Sequence, residues 1–306
     1  MPGEDETGRV NLMKAAVWAV RVGWLGLAFS CGPALGAALD GSEGLIPSVG
    51  SVVLWAGWAI GLVATLLPSP LSLTVLRAGA PAAGLAVAAA AAGAGVDAPI
   101  GLAWAVAVTA LVMAPVVARY HVNGPAYPNE RRHPLRPPGA VLLGPLYLAW
   151  FVAVPLPAAG LLLLAGGNTL GAPVLAAGVL GALIGGRALL RLAKRWLVFV
   201  PAGVVLHDHL ALSDPVLFSK KHIRRIGPER DVTAAWDLTL GAAGLAIEIS
   251  LHEETNLGKS RQGRGLGQVV SADSILVSPS RPGVALAEAH ERGLPVQAAG
   301  APPRTC

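Results

Sequence analysis

The residues best suited to contacting a ligand are cations, and they lie in two clusters. Lys220, Lys221, Arg224 and Arg225 stand together in KKHIRR, 220–225. Such a patch suits anionic lipid headgroups, to which each base near the surface adds about 1 kcal/mol, or a protein partner. The plainer expectation is the solvated face of a strand. Arg131, Arg132 and Arg136 stand together in NERRHPLRPPG, 129–139, with His133 and three prolines. The stretch HPLRPPG cannot be helical, so a stiff extended segment is expected there. It is expected to pack on the C-terminal domain or on lipid headgroups, while its arginines anchor the topology. These seven cations are the candidate lipid- or partner-binding residues.

Other motifs carry less. His207 and His209 in HDH share one face of a strand, and neutral imidazole is a common metal ligand. The sequence offers no third ligand, so a solvated pair beside a turn is expected and no metal. GKS at 258–260 would need a glycine at 253 to complete a phosphate-binding loop, and Glu253 stands there. A flexible loop is expected, with Lys259, Arg261 and Arg264 as its only anion contacts. No nucleophile elbow, zinc helix or pair of buried glutamates occurs. All seven histidines read as loop or soluble-domain residues. No catalytic group and no cofactor is expected. The cysteines, Cys31 and Cys306, make neither a disulfide framework nor a metal site. AFSC at 28–31 has the outline of a lipoprotein box, but Phe29 and the acidic opening GEDE favour a cysteine inside a helix.

The elements that hold these residues follow from composition. The chain of 306 residues is 54% hydrophobic and 13% charged, against about 25% charged in soluble domains. This predicts a membrane protein with a soluble part. The Ala/Gly/Arg/Pro bias is that of a GC-rich bacterial genome, actinobacterial in type. Residues 1–195 hold 12 Lys/Arg and 7 Asp/Glu, and residues 196–306 hold 11 of each. A nucleic-acid partner would need basic excess in the soluble part, so that class is excluded.

Six apolar stretches approach the ~20 residues that cross a bilayer: 22–39, 45–67, 78–96, 99–118, 140–165 and 169–186. Their loops alternate in charge. Arg9, Lys14 and Arg21 precede the first, Arg77 follows the second, Arg119 and the 131–136 arginines follow the fourth, and Arg187 to Arg195 follow the sixth. The loops between hold only acids or no charge. Because Lys and Arg mark cytoplasmic loops, six spans with both termini cytoplasmic are expected, in a bacterial plasma membrane. The patterns GWAIG (57–61) and GALIG (181–185) permit close helix approach, within one bundle or between copies. No Asp, Glu, Lys or His is expected deep in a helix, which disfavours a coupled transporter. A transporter or permease subunit is still the alternative, because prolines 145, 155 and 157 interrupt the fifth span. A polar cavity at the midplane would favour it.

After Arg195 the period changes. RWLVFV and VVLHD flank a Pro/Gly turn, and AWDLTL and LAIEISL read as a hairpin with Leu245, Ile247, Ile249 and Leu251 on one side. SILVSP gives a further strand. RPGVALAEAHERGL is a helix opened by Pro282 and stopped by Gly293. The pieces LFSKKHIRRIGP and ILVSPSRPGVALAEAH resemble the bacterial pleckstrin-homology-like (PH-like) domains found beside transmembrane helices. The resemblance covers about residues 195–294 and departs at the polar insertion HEETNLGKSRQGRGLGQ. It implies a bent β-sandwich capped by one helix, with a binding or scaffolding role. The expected fold is a six-helix transmembrane bundle with a cytoplasmic PH-like domain. The expected layout is an N-terminal segment (1–21), the bundle (22–194), the PH-like domain (195–294) and a disordered tail (295–306). The expected function is a non-catalytic membrane scaffold or adaptor working with lipids and other membrane proteins.

Overall fold

A computed structural model describes residues 2–230, 234–258 and 269–297. The chain divides into two compact units. Met1–Pro125 and Leu146–Ala193 make one, and Ala126–Pro145 and Lys194–Cys306 make the other. The stretch 129–139, expected as a loop of the bundle, therefore belongs to the second unit.

In chain order the helices are α1 (Pro2–Ser30), α2 (Gly32–Asp40), α3 (Ile46–Leu66), α4 (Pro70–Ala94), α5 (Pro99–Met113) and α6 (Pro115–Asn123). Strand β1 (Arg131–Pro134) and the short α7 (Gly139–Leu142) come next, followed by α8 (Pro145–Ala153), α9 (Pro155–Ala165) and α10 (Gly171–Ala193). Prolines open most of these helices, where the missing N–H costs nothing and φ is already helical. At α4 the hydroxyl of Ser69 also accepts the Ser72 N–H at 3.0 Å, a standard N-cap. That start lies ahead of the expected span at 78–96, so Arg77 sits inside the helix and not in a loop. Pro115 holds Ala114 in extended backbone, and α5 and α6 meet at 56°. The expected span 99–118 is thus broken at Ala114, and Arg119 and His121 lie in α6. Five segments are long and apolar enough to cross a membrane, and the bent α5–α6 pair makes a sixth if it is one span.

Two devices hold the helical unit together. Indole N–H groups donate to carbonyls of neighbouring helices: Trp24 to Trp58 at 2.9 Å, Trp58 back to Trp24 at 3.1 Å, Trp104 to Gly23 at 2.9 Å and Trp150 to Ala78 at 2.9 Å. Each bond satisfies a donor that would be costly to leave unmade in an apolar setting. Glycines do the rest. A Cβ on Gly178 would lie 2.5 Å from the Pro157 nitrogen, and one on Gly171 would lie 2.5 Å from the Leu164 nitrogen. Gly160 meets the Leu175 backbone in the same way, so α9 and α10 touch main chain to main chain. Gly181 and Gly185 abut Val152 and Ala149 of α8, and Gly61 abuts Trp24. These members of the two GxxxG patterns serve packing inside the unit, whereas a Cβ on Gly57 meets open space. A leucine at 178 should therefore cost about 1–3 kcal/mol by overpacking and lower the melting temperature in detergent. Gly57→Leu is the matched control and should change little; equal losses would mean the α9–α10 approach is not a tight one.

The second unit is mostly strand. It contains β1 with β2 (Trp196–Val200), β3 (Gly203–His207), β4 (Val216–Ser219), β5 (Ile223–Pro228), β6 (Trp236–Asp237), β7 (Ile247–Gly258), β8 (Val269–Val277) and the helix α11 (Pro282–Glu291). One sheet runs β1-β2-β3-β4 and the other β5-β7-β8-β6. Both sheets feed one core: Leu197, Phe199, Leu206 and Phe218 from the first, and Ile226, Ile249, Leu251 and Ile275 from the second. Ala285 and Ala289 of α11 complete it. Gly293 stops the helix with φ +67, as expected of a left-handed cap residue.

Three expectations change here. The stretch 131–134 is a strand of the first sheet, with Arg131 opposite Phe199 and Pro134 opposite Trp196. It is an edge strand, the place where proline is tolerated. The expected hairpin of AWDLTL with LAIEISL does not form. Trp236 and Asp237 instead run parallel to β8, because Asp237 accepts the Thr239 N–H and Leu240, Gly241 and Gly244 take positive φ, turning the chain away. Leu245 is consequently exposed while Ile247, Ile249 and Leu251 are buried. Finally, 295–297 is ordered: the Ile226 N–H donates to Pro295 O, and the Gln297 N–H donates to Ile226 O, both at 2.9 Å. Residues 298–306, including Cys306, lie outside the described residues.

Candidate functional site

Five of the seven candidate cations are spent on the β-rich unit itself. Arg131 donates to the carbonyls of Pro128 and Glu130 at 3.1 and 3.0 Å. Arg132 bonds the Glu130 carboxylate at 2.7 Å and lies over the Trp196 ring, 5.1 Å from its centroid. Its hydrogen bond holds the Glu130 carboxyl below the usual range, against partial burial. Arg136 donates to Ala243 O and Leu245 O at 3.1 and 3.0 Å. Lys220 donates to Arg292 O at 2.8 Å. Arg225 reaches Gln297, Glu248 and the carbonyl of Pro228.

Lys221 and Arg224 differ. Both are exposed, and neither makes a hydrogen bond or ion pair with the described residues. Arg224 is the extra residue of a β-bulge, because Ile223 pairs Leu251 while Arg225 pairs the adjacent Ser250. A bulge takes one residue out of the ladder and re-aims its side chain. The anion contacts considered at Lys259, Arg261 and Arg264 lie outside the described residues.

The HDH motif has a use that its sequence hid. Asp208 is buried and takes the Arg195 guanidinium in a two-pronged pair, Nε to Oδ1 at 2.7 Å and the terminal nitrogen to Oδ2 at 2.6 Å. The third guanidinium nitrogen of Arg195 donates to Arg136 O at 2.8 Å. Oδ1 of Asp208 also accepts the N–H groups of Leu210 and Ala211, so one carboxylate sets the turn after β3. His207 stacks on Trp196 with centroids 5.2 Å apart and planes 14° off parallel. Burial, then the positive neighbours His209 and Arg132, hold its imidazole below the ordinary range, with Asp208 opposing. Among the described residues no group of three or more His, Cys, Asp or Glu gathers as for a metal ion.

A second buried carboxylate, Glu248, lies in β7 on the side away from the hydrophobic core. Arg225 and Arg230 pair with it, and Ser250 and Ser274 donate to it at 3.2 and 3.0 Å. Burial raises its pKa, but the bonds from Arg230 and the serines prevail and bring it down to about 2.

In the helical unit Cys31 is buried at the α1–α2 junction, its thiol 3.4 Å from Gly101 O. A cavity of about 530 Å³ is lined by α1–α4 and α9, including Trp24, Trp55, Trp58 and Leu162. Its lining is apolar apart from Cys31, Ser51 and the indole nitrogens. At another place in this unit His121 of α6 lies within reach of the charges of two arginines, Arg21 of α1 and Arg77 of α4. Sequence reasoning missed them because it ended the spans at charged residues. Ser69 and Pro70, a cap followed by an N1 proline, were the signal for the earlier start of α4.

Comparison of the chain with protein families, curated proteins and solved structures finds no match.

Proposed function

We propose that this chain is a non-catalytic scaffold or adaptor of a bacterial plasma membrane, with its spans holding a PH-like module on the cytoplasmic side. Two four-stranded sheets around one core with a C-terminal helix support the PH-like assignment. The segments 126–145 and 194–230 fall in one compact unit, which supports their lying on one side of the membrane. Two apolar spans, Pro145–Ala165 and Gly171–Ala193, separate them, which agrees with that placement. The arginines of both segments support a cytoplasmic position for that side by the charge rule.

The observation that carries the binding role is the contrast among the seven cations. Five hold the module together, while Lys221 and Arg224, the latter on a bulge, are left for something outside it. A transporter would be favoured by polar groups lining a cavity at depth, and the apolar lining of the cavity in the helical unit supplies little of that kind. A photo-crosslinking residue placed at 221 or 224 in the full chain, in its own membrane, should yield a discrete protein adduct. Lipid adducts alone would assign the patch to headgroups. Labelling no greater than at exposed Asp214 would overturn the role of the patch.

A further inference from the structure

The buried charged groups of the β-rich unit are answered. Arg195 has Asp208 and a carbonyl, and Glu248 has two arginines and two serines. Arg77 and His121 are not answered. Arg77 stands about two turns into α4, and its Nε is buried without a hydrogen-bond partner. His121 is only 2% exposed, and its Nδ1 is likewise buried and unpartnered; its ring makes a T-shaped contact with Tyr120, centroids 5.4 Å apart. Helix α6, which carries His121, packs on both α1, which carries Arg21, and α4, which carries Arg77, and the charges of Arg77 and Arg21 act on the His121 ring. Arg21 lies over the Trp18 ring and reaches Thr65 O at 3.4 Å, a long bond. None of the three pairs with an acid among the described residues.

A buried guanidinium N–H without an acceptor, beside a second arginine and an unpartnered imidazole nitrogen, asks for an acceptor of negative charge. The guanidinium fork suits phosphate oxygens above other anions, and basic pockets between membrane helices take lipid phosphates. We infer that Arg21, Arg77 and His121 form a binding site for a phosphate group. The group is carried by an anionic phospholipid or arrives as free phosphate. This site is independent of the role given to Lys221 and Arg224.

The test uses the full chain, delipidated in neutral detergent, with thermal melting and native mass spectrometry as readouts. Phosphatidylglycerol and inorganic phosphate are titrated separately, with phosphatidylcholine as the zwitterionic comparison. Saturable stabilisation by phosphatidylglycerol alone assigns the site to a lipid headgroup, and stabilisation by inorganic phosphate as well assigns it to the free ion. In either case Arg77→Gln should weaken binding about tenfold or more, the loss of one charge-assisted bond, while Arg187→Gln in α10 should not. If Arg77→Gln fails to fold, Arg77→Lys keeps the charge, loses the fork and should still weaken binding. His121→Leu should melt no lower than the parent chain when no ligand is added. No saturable response to either anion, an equal response in the Arg77 variants, or a lower melting point for ligand-free His121→Leu overturns the site.

Discussion

Asp208→Ala should destabilise the β-rich unit by about 3–5 kcal/mol, the usual cost of removing one member of a buried ion pair. The side chains of Arg195 and Asp208 are 1% and 0% exposed, so a guanidinium left without its carboxylate has no water to turn to. The same substitution removes the acceptor for the Leu210 and Ala211 N–H groups and loosens the turn that delivers buried Leu212 to the core. Asp208→Asn should cost less, because it keeps an acceptor and loses only the charge. Replacing both residues by leucine should cost less than the sum of the single changes, since much of each single cost is the stranded partner. Hydrogen exchange of the full chain reads this out: amides of 196–207 should exchange faster in Asp208→Ala, in proportion to the lost stability. Unchanged exchange there would mean that the pair contributes nothing to the fold.

That pair shows where the sequence was legible and where it was not. Local patterns were readable. The Pro/Gly turn between β2 and β3, the alternation of Ile247, Ile249 and Leu251, and the proline and glycine that bound α11 all lie within a few residues of what they specify. HPLRPPG was readable as extended because proline forbids a helix. Its pairing with β2 was not, since the partner strand lies more than sixty residues later and register depends on a face that only the folded core defines. Charges were the least legible. HDH looks the same whether its aspartate is solvated or salt-bridged, and the decision is made by Arg195, thirteen residues upstream and just ahead of β2. The patch KKHIRR was visible as a patch, but Arg225 and Lys220 turn back into their own unit for reasons set by Glu248 and by the end of α11. In the helical unit, hydropathy found the long apolar helices and misplaced their ends. A span that starts on a capped proline can carry an arginine two turns in, with its aliphatic stem among apolar neighbours. Arg77 was therefore assigned to a loop, and its closeness in charge to His121 across α4 and α6 was not foreseen.

The acid limb of stability should depend on Glu248. Its folded pKa is lowered to about 2, while an unfolded glutamate titrates near 4.3. A depressed carboxylate stabilises the fold above the unfolded value, and that contribution is lost as pH falls from about 4.3 towards 2. Glu248→Gln should therefore lower stability at neutral pH and flatten its fall between those values. The loss at pH 7 should be on the order of 2–3 kcal/mol. That is less than the full cost of breaking a buried pair, because the Arg230 side chain is 50% exposed and can be solvated once its partner is gone. Arg225, at 12%, keeps Gln297 and the Pro228 carbonyl. His207 acts in a separate window. Its imidazole is also depressed, so the unfolded chain binds the proton first, and stability begins to fall as pH drops below about 6.5. His207→Phe, which preserves the stack on Trp196, should remove that upper step and leave the lower one, while Glu248→Gln should do the reverse. Unfolding of the full chain followed from pH 7 to pH 2.5 separates the two. An acid limb in Glu248→Gln as steep as in the parent would place the titration on some other carboxylate.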